Sequence, residues 1–359
     1  MYMYICCVCF FDWQRERGGR SNNPLPYRCY AAYRRVLDLD KRDKTMQGLW
    51  HSGSGAVLEE KKSRSIIHPF IIKDYKGLTI NPYQGCSHRC AYCYATYEWS
   101  PEFYDKIYAK SNAPEVLEKE LAAWKSDTVI PVMIASATDA YQPAELRFQL
   151  TRRCVQVLQK YNVPYYVFTK STMIERDLEL HRQYRHNCLV VWSVTTCDEK
   201  IRRIIEPGTP PACRIFQVIK KFAEAGLCCC VNIDPIMPLI TDNEQDLERL
   251  VGACREAGVR HVFGAPLRLR ADIWQRMKLV LQLLEVPDGL KRYKKIYGFE
   301  EPLGSSYVTA ERQYINNILS KLESMIKSNE LISDFPDYLG PKKIYRSSLG
   351  QTTLQSFLV

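Results

Sequence analysis

Between Leu78 and Phe263 short apolar runs alternate with amphipathic stretches, and few folds accept that order. The runs cover residues 78–80, 129–135, 165–169, 189–195, 227–233 and 259–263. The stretches between them, 113–124, 145–160, 173–184, 213–225 and 244–257, carry apolar residues at helical spacing. Buried strands joined by helices pair in parallel, because the chain must cross back over one face of the sheet before the next strand starts. Gly226 and Gly258 stand where two of the helices should stop. The pattern predicts six βα units, with two more helices over 271–284 and 307–328 to cover the open side.

The chain has 359 residues, 46% of them hydrophobic, which is enough for a large α/β domain with appendages. Its net charge of +10 leans toward an anionic partner, with nucleic acid ahead of an acidic membrane surface. Fifteen cysteines do not read as a disulfide scaffold. Cys228, Cys229 and Cys230 are consecutive in a strand, so neighbouring thiols point to opposite faces. Small buried thiols in a reducing cytoplasm are the expectation. No apolar run has the length of a membrane span.

The chemistry-bearing stretch follows the first run. Asn81-Pro82-Tyr83-Gln84-Gly85 opens a loop in which Cys86, Cys90 and Cys93 are spaced C-x3-C-x2-C. Three thiolates hold three irons of a cubane cluster and leave the fourth iron open to an exogenous ligand. Cys90 and Cys93 also have the spacing of half a zinc site, for which His88 or a distant cysteine would have to complete the set.

The three cysteines, with Tyr92 before the last, resemble the radical S-adenosylmethionine (SAM) superfamily. Thr138-Asp139-Ala140-Tyr141-Gln142-Pro143-Ala144-Glu145, Thr169-Lys170-Ser171 and Trp192-Ser193-Val194-Thr195-Thr196 are similar to its spore photoproduct lyase-like branch, as is 198–203. The resemblance spans about 66–269 and implies an open six-stranded parallel partial barrel of the TIM type. It implies a [4Fe-4S] cluster on Cys86, Cys90 and Cys93, and SAM chelating the open iron. Thr138 and Asp139 would then lie near the SAM amino group, Lys170 near its carboxylate, and Ser193 and Thr195 near its carboxylate or ribose. Glu206 would accept from the ribose or ammonium, and Asn232 would contact adenine or ribose. Residue by residue there are plainer readings: Asp139 as a helix cap, Glu206 as a turn residue, Asp234 as structural. An electron donor such as ferredoxin or flavodoxin is also implied, as is action on a DNA lesion.

The chain departs from the branch at one place. The lyase returns a hydrogen atom from a cysteine at the end of the second strand, where this chain has Ile134-Ala135-Ser136-Ala137. Tyr141, Tyr97 or another cysteine are the candidate donors that remain. Modification of a protein, RNA or small molecule is the alternative activity, and a non-catalytic zinc or cluster module that binds nucleic acid is the alternative class.

Four regions are expected: an N-terminal extension over 1–45, with Met46 as a candidate start; a core over 46–270; helices over 271–340; and a tail over 341–359. In the helical region, Lys291-Arg292-Tyr293-Lys294-Lys295-Ile296-Tyr297 reads as a solvated helix face or as a phosphate-and-base surface. The last residues resemble a sliding-clamp-binding peptide. Leu354 and Phe357 are one helical turn apart, and Gln351 stands beside them to reach a polar pocket.

Overall fold

The computed structural model describes residues 56–72, 75–97, 102–336 and 338–345. The terminal peptide with Gln351, Leu354 and Phe357 and the N-terminal extension lie outside them.

The elements are β1 (Val57–Lys61), β2 (Ile67–Ile72), β3 (Tyr75–Ile80), β4 (Tyr83–Gln84), β5 (Lys106–Lys110), α1 (Ala113–Ala122), β6 (Thr128–Val129) and β7 (Val132–Ile134). There follow α2 (Ala144–Phe148), α3 (Leu150–Lys160), β8 (Tyr165–Thr169), α4 (Leu178–Arg182), β9 (Cys188–Ser193), α5 (Glu199–Ile205), α6 (Ala212–Glu224) and β10 (Cys229–Ile236). The chain continues through α7 (Glu244–Glu256), β11 (His261–Pro266), α8 (Ala271–Leu283), α9 (Gly289–Tyr297), α10 (Arg312–Ser328) and β12 (Lys342–Lys343).

The main sheet runs β11-β10-β9-β8-β7-β3-β2. From β3 to β11 every pairing is parallel, and β2 closes one edge antiparallel to β3. The six expected strands are therefore the six parallel ones. Strand alternation divides their side chains between two faces. Ile134, Val167, Val190, Trp192, Val231 and Ile233 enter the core beneath the helices. Tyr166, Leu189, Val191 and Cys230 line the other, concave face, with Met133, Phe168, Cys228 and Phe263. Cys229 joins the helix-side core and Cys230 the concave face, as alternation requires.

The end of the concave face where the strands begin is closed by the C-terminal segment. Phe335 meets the rings of Tyr166 and Phe263 edge-on at 5.6 and 5.5 Å. The Tyr338 hydroxyl donates to the Cys188 carbonyl at 2.8 Å. The opposite end is polar: Ser193 ends β9, Lys170 follows β8, and on β10 Asn232 is level with Ser193 and Asp234 lies beyond it.

Several predicted elements are broken, each for a local reason. The 145–160 helix is two helices, because Gln149 takes a left-handed φ of 50° between them. The 173–184 helix is a 3-10 turn (Met173–Asp177) followed by the short α4. Pro131, without an N–H, separates β6 from β7 where one strand was expected. The last long helix starts at Arg312 rather than 307, and residues before it form a bridge described below. Gly226 and Gly258 do end their helices, with φ of 80° and 76°.

Candidate active site

The cysteine loop leaves β4 through Gly85, whose φ is 83°. A Cβ there would meet the Phe103 carbonyl oxygen at 2.9 Å, so only glycine fits the turn. Cys86 and Cys90 are buried and Cys93 is half-buried. Burial pushes all three thiols up, and each of Cys86 and Cys90 also feels the negative charge of Cys93.

Backbone contacts from distant parts of the chain fix the loop. Cys86 N–H donates to Phe103 O at 3.1 Å, and Ala91 N–H to Ile205 O at 2.8 Å. The Tyr104 hydroxyl donates to Cys90 O at 2.5 Å. Gly208 N–H donates to His88 O at 3.0 Å. A Cβ on Gly208 would fall 2.7 Å from His88 Cα and closer still to Ser87 O. The Gly208→Ala variant is expected to push the loop outward at a cost of about 1–3 kcal/mol. Iron bound per chain after anaerobic reconstitution should fall below half of the wild-type value. Wild-type iron content in that variant would show that the close approach is not needed.

Helix α8 holds the same loop from the other side. Arg276 donates from Nε to Ala91 O at 2.6 Å and from Nη2 to Cys93 O at 2.9 Å. Arg270 donates to Tyr94 O at 3.0 Å. Thr96 Oγ1 lies within hydrogen-bond distance of both Asp272 Oδ2, at 2.9 Å, and Cys93 O, at 3.0 Å, and its one hydrogen can go to either. Sequence reasoning missed these residues because nothing local to Ala271–Leu283 marks a charged group that serves a loop some 180 residues earlier.

The end of β7 supplies a second set of clasps. Thr138 donates to Gly85 O at 2.6 Å, and Gln142 Nε2 donates to Gly85 O and to Thr138 Oγ1. Asp139 is buried and accepts from Tyr141 N–H, Thr169 Oγ1 and Lys170 N–H at 2.7–2.8 Å. His88 Nδ1 lies 3.4 Å from its other side. Burial alone would raise the Asp139 carboxyl; His88 and the hydrogen bonds outweigh that and hold it low. Asp139 thus joins the cysteine loop to β8, and the cap of α2 is Pro143 instead. Ser136 Oγ is hydrogen-bonded by Thr79 and Asn81.

Glu206 is the centre of the charged cluster. It is 1% exposed. Tyr92 donates its hydroxyl to Oε1, as do Thr195 at 2.9 Å and Lys170 at 3.2 Å. Arg202 lies 3.0 Å from Oε2. Burial works against the charged form, but Lys170 and Arg202 hold the pKa at about 2. Lys170 also donates to Ser193 O and lies 5.4 Å from the centre of the Tyr92 ring.

The site residues expected from the sequence thus divide. Thr138, Asp139, Thr195 and Glu206 spend their polar atoms on protein partners that brace the cysteine loop. Ser193 and Asn232 are half-buried neighbours in register on β9 and β10, at the polar end of the concave face beside Lys170. Tyr141 is a correction. It is 0% exposed, and its hydroxyl bonds His181 Nε2 at 2.9 Å and Asp177 at 3.2 Å in the core. Packing rotated it toward α4, so it has no opening to a substrate.

The residues present fit an iron–sulfur cluster with a bound small molecule. Three thiols gather at one loop, and Ser87 Oγ is buried beside them without a protein partner. His88, which a zinc reading would use, is turned to Asp139. Among the described residues no group of three or more His, Cys, Asp or Glu side chains is placed to hold one metal ion.

An open parallel barrel with a three-thiol loop at the carboxyl end of its first parallel strand defines a class of cofactor-dependent enzyme. The Radical SAM superfamily model matches residues 80–254. An uncharacterised protein of Mycobacterium tuberculosis is 31% identical over 256 residues, 68% of this chain and 74% of that one. Uncharacterised proteins of Acidianus two-tailed virus and Methanocaldococcus jannaschii are 27% and 28% identical, over 58% and 51% of this chain and 76% and 69% of theirs. Spore photoproduct lyase in complex with dinucleoside spore photoproduct superposes with a TM-score of 0.57 at 13% identity, over 76% of this chain and 79% of that one. Its variant with bound AdoMet superposes equally, at 14% identity. These structures share the fold. The chain belongs to the radical SAM superfamily, whose enzymes use a [4Fe-4S] cluster and SAM.

Proposed function

We propose that the chain holds a [4Fe-4S] cluster on Cys86, Cys90 and Cys93, cleaves SAM reductively, and acts on a base or lesion in nucleic acid. A reduced cluster with SAM supplies one chemistry, electron transfer that splits the sulfonium and yields a carbon radical able to take hydrogen from a C–H bond.

The observation that carries this reading is a loop with three thiols at C-x3-C-x2-C spacing, braced from three sides. It faces the polar end of a barrel whose other end is plugged with aromatic residues. Lys170 supplies a positive charge beside Cys90, suited to a carboxylate. Ser193 and Asn232 offer polar groups to the rest of such a molecule. The apolar wall of Phe168, Val191 and Phe263 keeps water from a reactive intermediate. A one-electron donor of the ferredoxin or flavodoxin kind is required.

The nucleic-acid half of the reading is supported by the net charge of +10 and by exposed cations on the C-terminal helices. The fold is shared with a lyase bound to a dinucleoside photoproduct. Residues Ala135 to Ala137 offer no thiol, so hydrogen return by that lyase's route is not part of the proposal.

The test is anaerobic reconstitution with iron and sulfide, then SAM and dithionite, with irradiated DNA, undamaged DNA, RNA or peptide added. Formation of 5′-deoxyadenosine that rises with irradiated DNA, together with loss of a photoproduct, is the expected result. No 5′-deoxyadenosine would remove the enzymatic reading. Stimulation by peptide alone would move the activity to another substrate.

A further inference from the structure

Just past the end of β11 the chain builds a surface feature whose outer residues, Arg268 and Tyr307, take no part in bracing the cysteine loop. Leu269 and Val308 exchange two backbone hydrogen bonds of 2.8 Å, which sets Arg268 and Arg270 on one strand beside Tyr307 on the other. Tyr307 is 40% exposed. Two guanidiniums lie within cation–π distance of its ring, Arg268 at 5.0 Å and Arg270 at 4.8 Å.

The two arginines differ in setting. Arg270 is 3% exposed and is held by Asp272, by Tyr94 O and by the Tyr307 hydroxyl at 3.2 Å. It locks the ring in place. Arg268 is exposed, with its guanidinium carbon 5.0 Å from the ring centre, where solvent and ligands can reach the side chain. A flat cation prearranged on a fixed aromatic costs little ordering entropy when a flat ligand stacks on it.

The feature borders the polar mouth of the barrel. Asp234, two residues before the end of β10, feels the charges of both Lys170 and Arg268. Tyr94, which follows Cys93, is held by Arg270 through its carbonyl and donates its hydroxyl to Ser136 O. On the outer side, the Tyr297 hydroxyl donates to Leu267 O at 2.8 Å and ties α9 to the residue before Arg268. In α9 the interleaved sequence has separated. Tyr293 and Tyr297 stack inward on each other at 5.5 Å and, through Tyr293, on Trp274 at 5.9 Å. Lys291, Lys294 and Lys295 instead line a surface cavity of about 610 Å³ with Leu290, Gly298, Phe299 and the carboxylate of Glu300, and Lys294 lies 4.0 Å from Glu301.

We infer that Arg268 and Tyr307 form a strand-binding ledge for a single-stranded polynucleotide. One base stacks on the guanidinium, its phosphate pairs with the arginine charge, and the adjoining phosphates run toward the α9 lysines. Stacking face and positive charge in one group match a nucleotide unit, which an acidic peptide would use only in part. This deepens the reading proposed above and rests on it.

The test uses the reconstituted holoenzyme and fluorescein-labelled oligothymidylate, oligouridylate and an oligoglutamate peptide, read by anisotropy under anaerobic conditions. Arg268→Ala is expected to weaken oligonucleotide binding about 5- to 150-fold and lower the salt slope by about one. Arg268→Lys, which keeps the charge and loses the plane, should fall between it and wild type. Tyr307→Ala should weaken binding in the same direction. Iron content and thermal midpoint report whether each variant has folded. The inference stands if either oligonucleotide shows these losses, and the two arms tell DNA from RNA. Wild-type affinity in folded Arg268→Ala and Tyr307→Ala variants would overturn it and leave the proposed function intact. A parallel loss of SAM affinity would also overturn it, by assigning the ledge to the cofactor. Binding of the peptide alone by wild-type protein would overturn both.

Discussion

Replacing Cys90 with alanine is expected to reduce 5′-deoxyadenosine formation from SAM by about 100-fold or more, because loss of a direct ligand should cost at least what a supporting contact does. Two remaining thiols cannot hold three irons, so reconstituted iron should fall in step, and the charge-transfer absorbance of the cluster with it. Cys90 is the most informative of the three. It is buried, Tyr104 and Cys93 N–H both bond its carbonyl, and alanine leaves those backbone contacts in place. The fold should survive, so unfolding of the iron-free variant should match that of iron-free wild type. Retained iron and activity in Cys90→Ala would refute the three-thiol assignment.

The largest expected effect on stability is at Glu206. Its carboxylate is the shared counter-charge of Lys170 and Arg202. Glu206→Gln removes the negative charge while the Arg202 guanidinium stays buried. Breaking one side of such a pair costs about 3–5 kcal/mol. Urea unfolding should show the midpoint shift, and a change under about 1 kcal/mol would contradict the network's role. The same group sets an acid dependence. Its folded pKa of about 2 lies below the ordinary 4.5, so its contribution is present above about 4.5 and drains away as pH falls toward 2. The linkage is on the order of 3 kcal/mol. In Glu206→Gln this part of the acid sensitivity should be missing.

Much of the fold could be read from the sequence because it follows from local pattern. The six parallel strands, the two helix-ending glycines and the opposite facing of Cys229 and Cys230 depend only on alternation and turn chemistry. The cysteine loop stood out for a different reason, since its C-x3-C-x2-C spacing is a local pattern. What escaped was long-range. Gln149 has no residue signal for a left-handed break, and its conformation follows from Glu145, which accepts from the backbone of Thr151 and Arg152 across the break. The orientation of Tyr141 is decided by His181 and Asp177, in an element read as a continuous helix but built as a turn and a short helix. Thr138, Asp139 and Glu206 stood out as polar positions in the connections after strands, and their hydrogen bonds brace the loop rather than reach outward. Pattern can locate a polar residue at a strand end; only packing says which way it turns.

The superfamily match ends at residue 254, whereas the carbonyls of Ala91, Cys93 and Tyr94 are gripped by Arg270 and Arg276. The segment that braces the cysteine loop is therefore longer than the matched region. A fragment trimmed to that region would keep every thiol yet forfeit the outer grip on the loop's carbonyls.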